Sequence, residues 1–216
     1  MEHNAFSVSL AKNPLISIKV IPGHFSTNNA HSNHYLDLSG LKSNALIARD
    51  VALELAIPYR AGKLVDTIVC MEKTEVIGAY LAQELLQSGQ SVINAGNDIR
   101  VVAPMVNVNG NLVFSDSMVE YISNRHILLL VTTVSSGRTV NVALECLAYY
   151  GGLLSGISTL FLASPQKTEQ EINTLFTYED VEGYKLFSPS NCDLCKAGQK
   201  LDAIVTSEGY TKIRGM

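Results

Sequence analysis

The sequence predicts an α/β fold in which a mostly parallel central sheet is flanked by helices. Three features indicate this fold class: an apolar run at residues 127–131, a second one at 157–162, and a helical pattern at 140–150 between them. An apolar run without alternation is typical of a strand buried on both faces of a parallel sheet. Strands that alternate with helices imply right-handed crossover connections.

The first 40 residues have an irregular pattern. A strand-like run at residues 15–20 is followed by Pro22-Gly23 and by a polar loop rich in Asn and His, so we expect a small peripheral element. Residues 44–56 place apolar side chains at helical spacing. Pro58 follows at the point where this helix is expected to stop.

The middle of the chain begins with a predicted strand at residues 67–70, a loop, and a helix at 76–86. Residues 100–114 alternate loosely around Asn109-Gly110. This dipeptide suits a two-residue hairpin turn because both positions tolerate positive φ, and we predict an inserted hairpin. From residue 164 onward the sequence is more polar and has no strong periodicity.

Composition excludes several classes of protein. With 216 residues, 47% of them hydrophobic and 17% charged, the chain is neither disordered nor of low complexity. A formal net charge of −4 gives no overall positive field for nucleic acid or anionic lipid. We therefore expect neither a nucleic-acid nor a membrane partner, and we interpret residues 142–163 as a helix, a turn and a strand rather than a membrane span.

The cysteines and the N-terminus predict a cytoplasmic location. Four cysteines are too few for a disulfide framework at this length, and the first 20 residues lack the pattern of a secretory signal. Cys192 and Cys195 have the spacing of metal ligands, but zinc needs a second pair, and Cys70 and Cys146 fall in a predicted strand and helix. We therefore expect no metal site there.

Three histidines, His24, His31 and His34, lie close together in the N-terminal polar loop. Such a group can bind a metal or a ligand, but it is more often a solvated, hydrogen-bonded surface. We expect the latter and assign these histidines no chemistry.

The loop after the central strand is the strongest candidate site. It lies between a buried strand and a helix N-terminus, where backbone N–H groups are unpaired and the helix dipole favours an anion. The alternative is a strand-to-helix turn capped by Thr139. The predicted phosphate- and ribose-binding residues are Thr132, Thr133, Val134, Ser135, Ser136, Gly137, Arg138 and Thr139.

Four ordered segments resemble the orotate phosphoribosyltransferases, which have the type I phosphoribosyltransferase fold. Pro22-Gly23-His24-Phe25 through residues 31–35 is similar to the N-terminal element of that family, and residues 65–72 are similar to the strand that leads into its pyrophosphate loop. Residues 126–139 stand where its phosphoribosyl-pyrophosphate motif belongs. Cys192-Asp193-Leu194-Cys195-Lys196-Ala197-Gly198 is similar to the tail of some members.

The resemblance implies a Rossmann-like core at residues 44–164, with an N-terminal hood element at 1–43 and a C-terminal extension at 165–216, all in a single domain. It also implies a homodimer, a place in pyrimidine biosynthesis, and Mg²⁺ if the enzyme is active. The residues equivalent to the pyrophosphate loop are Glu72, Lys73, Thr74 and Glu75.

The charged residues that this reaction needs are largely replaced. Thr132-Thr133 occupy the positions of the family's acidic pair, and Glu75 places a carboxylate where pyrophosphate charge would accumulate. Between Lys73 and Arg125 the sequence has one basic residue, Arg100, where the family has a cationic mobile loop. Ala163 stands where an Arg commonly meets the orotate carboxylate, and the Arg expected between residues 30 and 31 is missing.

These departures favour a protein that binds a phosphorylated small molecule, such as a nucleotide or a phosphoribosyl compound, with weak or lost transferase activity. One alternative is an active orotate phosphoribosyltransferase that forms orotidine 5'-monophosphate from orotate and phosphoribosyl pyrophosphate. Another is a non-catalytic structural or regulatory subunit.

Overall fold

A computed structural model describes residues 2–60, 62–87, 93–109, 111–165, 170–206 and 209–213. Contacts divide the chain into two compact units. The first unit comprises Met1–Gly40 and Phe176–Met216, and the second comprises Leu41–Leu175. Each unit contains a sheet of its own, and the single-domain organisation stays a prediction.

The strands are, in chain order, β1 (Phe6–Leu10), β2 (Asn13–Ser26), β3 (His31–Asp37), β4 (Thr67–Cys70), β5 (Arg100–Val102), β6 (Met105–Val106), β7 (Leu112–Val113), β8 (His126–Val134), β9 (Leu153–Leu162), β10 (Ile172–Thr177), β11 (Leu186–Phe187), β12 (Ala203–Thr206) and β13 (Gly209–Lys212). The α-helices are α1 (Ser39–Ser43), α2 (Ala45–Arg60), α3 (Glu75–Gln87), α4 (Asp116–Val119), α5 (Arg138–Tyr149) and α6 (Asp193–Lys196).

The second unit is built on a five-stranded sheet in the order β10-β9-β8-β4-β5. The pairs β9–β8, β8–β4 and β4–β5 are parallel. All four residues of β4 and most of β8 are buried, which explains their unbroken apolar sequence. Helix α5 buries Val140, Ala143 and Leu147 in the same cluster as the side chains of β8. The predicted α/β fold class, with its mostly parallel sheet, is confirmed.

The first unit contains a second sheet that the sequence did not predict. Its path is β11-β3-β2-β12-β13, and β1 pairs with β2. The strand-like run at residues 15–20 is only the middle of β2, which continues through Pro22 and Gly23 with an irregularity between Pro22 and Phe25. The expected polar loop is therefore mostly strand, because β2 and β3 pair antiparallel as far as Ser26 opposite His31.

Helix α2 does not stop before Pro58 but ends at Arg60. Pro58 lies in the last turn, where it removes a single intrahelical hydrogen bond. The helix buries Leu55, Ala56 and Tyr59 around that position, and this packing offsets the loss.

The inserted hairpin is confirmed, but its turn is longer than two residues. Strands β6 and β7 pair antiparallel with Val106 opposite Leu112, which leaves residues 107–111 as the connection. The Asn107 side-chain oxygen accepts hydrogen bonds from the N–H groups of Asn109 and Asn111 at 2.9 and 3.0 Å. Gly110 of the predicted Asn109-Gly110 turn lies outside the described residues.

The apolar segment at residues 142–163 consists of most of α5, a turn and β9, as the sequence predicts. Over the described residues, no helix has both the length and the apolar character that a membrane crossing requires.

Gly156 provides a test of packing in the second unit. A Cβ atom at this position would lie 2.6 Å from Cε1 and 2.9 Å from the hydroxyl oxygen of Tyr59. Tyr59 cannot easily move, because it is buried and its hydroxyl bonds the Ile157 carbonyl and the Ser158 hydroxyl at 3.2 and 2.9 Å. We expect Gly156→Ala to lower the free energy of unfolding by about 1–3 kcal/mol, the usual cost of overpacking.

Thermal unfolding measures this cost as a fall in Tm of roughly 2–4 °C per kcal/mol. Gly40→Ala is the matched control, because no atom lies within 4 Å of its added Cβ. Gly40 lies in helix α1, so this variant should keep the Tm or raise it slightly. Equal Tm values for the two variants would contradict the packing argument.

Candidate active site

The two predicted site segments meet at one edge of the parallel sheet. Strands β4 and β8 are parallel neighbours with Cys70 opposite Leu130, so the loops that follow them leave the sheet on the same side. The chain runs from β4 to β5 on one side of β4 and later places β8 on its other side. Ligands of open α/β sheets bind at such a reversal of strand order, beyond the carboxyl ends of the strands.

The loop after β4 has an unusual backbone. Glu72 and Lys73 have φ values of 57° and 65°, in the left-handed region that residues with a side chain rarely adopt. Thr74 is fully buried, and its hydroxyl donates to the carbonyls of Met71 and Leu130 at 2.9 and 3.3 Å. The Thr74 hydroxyl thus holds the loop to β8. Backbone strain of the kind seen at Glu72 and Lys73 clusters at functional sites.

Glu72 connects the two loops. One oxygen of its carboxylate accepts the backbone N–H of Thr132 at 3.1 Å. Its backbone carbonyl accepts the Thr132 hydroxyl at 3.2 Å and the Lys42 ammonium at 2.9 Å. The Glu72 carboxylate therefore lies next to Thr132, at a position where the similar transferases carry an acidic residue of their own. The Lys42 ammonium group lies next to the Glu72 backbone carbonyl.

The loop after β8 is shorter than the sequence predicts. Thr132, Thr133 and Val134 belong to β8, and Thr133 and Val134 pair with Phe161 and Leu162 of β9. Only residues 135–137 connect β8 to α5, which begins at Arg138. These three residues are the last of β8 and lie at the carboxyl end of the strand. Their role in binding stays a prediction.

Gly137, not Thr139, is the N-cap of α5. Its φ is 76°, a conformation that glycine adopts without steric cost, and no side chain caps this helix end. The alternative of a turn capped by Thr139 is therefore wrong, since Thr139 lies within the first turn of the helix. Glycine has no side chain that could accept the first N–H groups of α5.

The backbone N–H groups of Ser136, Gly137 and Thr139 have no protein acceptor in the part of the chain that the structure describes. The carbonyls beside them are occupied: Val134 O accepts from Ala163 N at 2.8 Å, and Ser135 O accepts from the Ser164 hydroxyl at 2.7 Å. We call residues 135–139 the amide cradle. Because the N–H groups of Ser136, Gly137 and Thr139 are open and the neighbouring acceptors are satisfied, the cradle favours an anion.

Positive side chains around the cradle are few. Arg138 is exposed, and Lys73 is exposed on the neighbouring loop. Arg100 is engaged elsewhere: it pairs with Asp98, and its guanidinium lies 5.0 Å from the centre of the Tyr121 ring. Lys42 is a cation that the sequence analysis missed, because a single Lys in a short helix carries no pattern.

The side chains at these loops do not form a magnesium site by themselves. The carboxylates present are Glu72, which accepts the Thr132 N–H, and Glu75, which is exposed in the first turn of α3. Among the described residues, no group of three metal-ligating side chains lies at this edge of the sheet. A magnesium ion would depend on oxygen atoms of a ligand.

Cys70, at the end of β4, is not a reactive thiol. Burial raises its pKa to about 12, and its side chain is 1% exposed. A thiol that stays protonated at neutral pH is a poor nucleophile and a poor metal ligand. Cys70 therefore belongs to the core beneath the site and not to its chemistry.

In the first unit, two of the three N-terminal histidines lie beside the C-terminal cysteines. Each residue of a group of four offers one potential ligand atom, and these atoms all lie within 4.8 Å of one another: His24, His31, Cys192 and Cys195. The expectation of a solvated histidine surface is wrong for His24, which is 0% exposed. His34 lies outside the group, and its ring bonds the Asn33 side chain and stacks on Tyr184.

The amino-acid sequence matches no protein-family model and no curated protein. Similarity appears at the level of structure. UMP synthase of Leishmania donovani aligns over 74% of this chain at 20% identity with a TM-score of 0.55, and the aligned part is 34% of that enzyme. This chain therefore spans about a third of that protein's length.

Two further solved structures align over most of their own length. Orotate phosphoribosyltransferase of Mycobacterium tuberculosis H37Rv aligns at 12% identity over 74% of this chain and 90% of its own, with a TM-score of 0.51. A phosphoribosyltransferase of Corynebacterium diphtheriae aligns at 14% identity over 74% and 89%, with a TM-score of 0.53. The resemblance predicted from the sequence is confirmed at the level of structure, and this chain has the fold of the type I phosphoribosyltransferases.

Proposed function

We propose that this protein binds a phosphorylated small molecule, such as a nucleotide or a phosphoribosyl compound, through the amide cradle, and that its transferase activity is weak or lost. The observation that carries the proposal is the set of open N–H groups at Ser136, Gly137 and Thr139, placed at the strand-order reversal of a phosphoribosyltransferase fold. Three backbone donors and a helix dipole suit the oxygens of a phosphate group. Arg138 adds a positive charge at the same helix end.

Phosphoribosyl transfer needs more than a phosphate site. The pyrophosphate leaving group carries high negative charge. Its departure is accelerated by cations that interact with it more strongly in the transition state than in the ground state. The inserted hairpin, β6 and β7 with its connection, contains no Lys or Arg. On the loop after β4, Glu72 and Glu75 flank Lys73 and Thr74, so this segment provides little net attraction for pyrophosphate.

An active orotate phosphoribosyltransferase that forms orotidine 5'-monophosphate is the alternative with one specific observation in its favour. The Glu72 carboxylate reaches the backbone of Thr132, and Lys42 lies 3.4 Å from the Thr132 hydroxyl. These side chains supply an acid and a cation from other parts of the chain. A homodimer, a cytoplasmic location and a place in pyrimidine biosynthesis stay predictions. They are compatible with the active enzyme and with the binding protein, so they do not distinguish the two.

A turnover assay separates the two functions. The purified chain is incubated with Mg²⁺, phosphoribosyl pyrophosphate and orotate, and the loss of orotate absorbance is followed. We expect a rate at least about 1000-fold below the ordinary enzyme range of roughly 1–10³ s⁻¹. Turnover of about 1 s⁻¹ or more would establish the active enzyme and contradict the proposed loss of activity.

Ligand binding is tested by thermal shift with ribose 5-phosphate, nucleoside monophosphates, phosphoribosyl pyrophosphate and inorganic phosphate. A ligand at 100 times its Kd adds about 2.7 kcal/mol to the free energy of unfolding, which raises the Tm by roughly 5–10 °C. Ser136→Asp should abolish this shift, because it places a carboxylate on the exposed side of the cradle without disturbing packing.

The matched control is Ser117→Asp, which makes the same charge change at an exposed serine of α4. It should keep the full ligand-induced shift. A wild-type protein that no phosphorylated compound stabilises would contradict the binding function and favour a non-catalytic structural or regulatory subunit.

A further inference from the structure

Four metal-ligating side chains converge within the first unit. His24 lies in β2 and His31 begins β3, so the hairpin of these strands supplies two imidazoles. Cys192 is the N-cap of α6 and Cys195 lies in its first turn, so a Cys-x-x-Cys segment supplies two thiols. We call these four residues the His/Cys cluster.

Four of the six distances between the ligand atoms of the cluster match tetrahedral coordination, and all six lie within 4.8 Å. The His24 Nε2 atom lies 3.2 Å from His31 Nδ1, 3.5 Å from Cys192 Sγ and 3.6 Å from Cys195 Sγ. Cys195 Sγ lies 3.4 Å from His31 Nδ1. A zinc ion bound by two nitrogens at about 2.0–2.1 Å and two sulfurs at about 2.3 Å separates its ligand atoms by roughly 3.3–3.8 Å.

The hydrogen bonds around His24 leave the correct ring nitrogen available. Its Nδ1 lies 2.9 Å from the Gln199 carbonyl oxygen, which can only accept, so the Nδ1 atom carries the proton. In a neutral ring Nε2 then has a free lone pair that points into the cluster. A second-sphere carbonyl that fixes the tautomer of a ligating histidine in this way is a general feature of metal sites.

Hydrogen bonds within the cluster do not explain its geometry. Three potential donors, the His31 ring and two thiols, all approach the single lone pair of a His24 ring that is 0% exposed. One lone pair cannot accept three good hydrogen bonds, whereas a cation at the centre satisfies all four ligand atoms together. Cys195 is exposed, which gives an ion access from solvent.

We propose that the His/Cys cluster is a structural Zn²⁺ site. Two thiolates and two imidazoles in a closed tetrahedral set are the ligands of structural zinc, and the absence of an open position argues against a catalytic metal. The ion would join the β2–β3 hairpin to the C-terminal segment, across 168 positions between His24 and Cys192. Asp202 reinforces this junction, because its carboxylate accepts the His24 backbone N–H at 2.8 Å.

The proposal is tested first on the full chain purified without an affinity tag or added metal. After dialysis against metal-free buffer with a reductant, elemental analysis should give one zinc per chain. Replacement by Co²⁺ should produce the visible bands of a tetrahedral site and a thiolate-to-cobalt charge-transfer band. The zinc content and the cobalt spectrum are both independent of any enzymatic activity.

Cys195→Ser is the decisive variant, because an exposed side chain contributes little to packing and the protein should still fold. Its zinc affinity, measured by competition with a chelator, should fall by more than the roughly 10- to 100-fold that loss of an outer-sphere partner causes. Cys146→Ser and His34→Gln are matched controls outside the cluster and should keep one zinc and the cobalt spectrum.

Three results would overturn the proposal. The first is a folded wild-type chain that neither carries zinc nor gives a cobalt spectrum after reduction. The second is equal zinc affinity in Cys195→Ser and the wild type. The third is a purified protein with a Cys192–Cys195 disulfide whose two thiols, once reduced, do not bind added zinc.

Discussion

The parallel pairing of β4 with β8 is the constraint on which the candidate site depends. It places the ends of both strands at the same sheet edge, with Met71 N donating to Leu130 O at 2.8 Å just beyond the paired residues. The buried Thr74 hydroxyl and the Glu72 carboxylate then fix one loop against the other. Apolar burial, backbone hydrogen bonds and these two side chains hold the arrangement, and none of them needs the cations of a transferase site.

Under the proposed function, the site separates two properties that an active transferase combines. Backbone amides at a helix N-terminus recognise an anion through geometry, and they persist as long as Gly137 allows the turn. Departure of pyrophosphate depends on side-chain cations, which can be lost one by one without unfolding the sheet. A phosphate site is therefore compatible with a β6–β7 hairpin that contains no Lys or Arg, which is what we propose for this chain.

The sequence predicted the parts of the fold that follow from local pattern and missed those set by distant partners. The apolar sequence predicted the first part of β8. Its extension through Thr132 and Thr133 to Val134 depends on pairing with β9, and two threonines do not predict that pairing. Pro58 ends a helix only where packing does not compensate, and here burial does. The His/Cys cluster could not be predicted, because a Cys pair signals zinc only with a second pair, and that pair lies at the other end of the chain.

Phosphate binding by the amide cradle is tested most directly by nuclear magnetic resonance. The isotopically labelled chain is titrated with ribose 5-phosphate, and its amide signals are followed. We expect the N–H signals of Ser136, Gly137 and Thr139 to shift together and to saturate at one ligand per chain. Saturable binding that leaves these three amides unmoved and shifts signals elsewhere would contradict binding by the amide cradle.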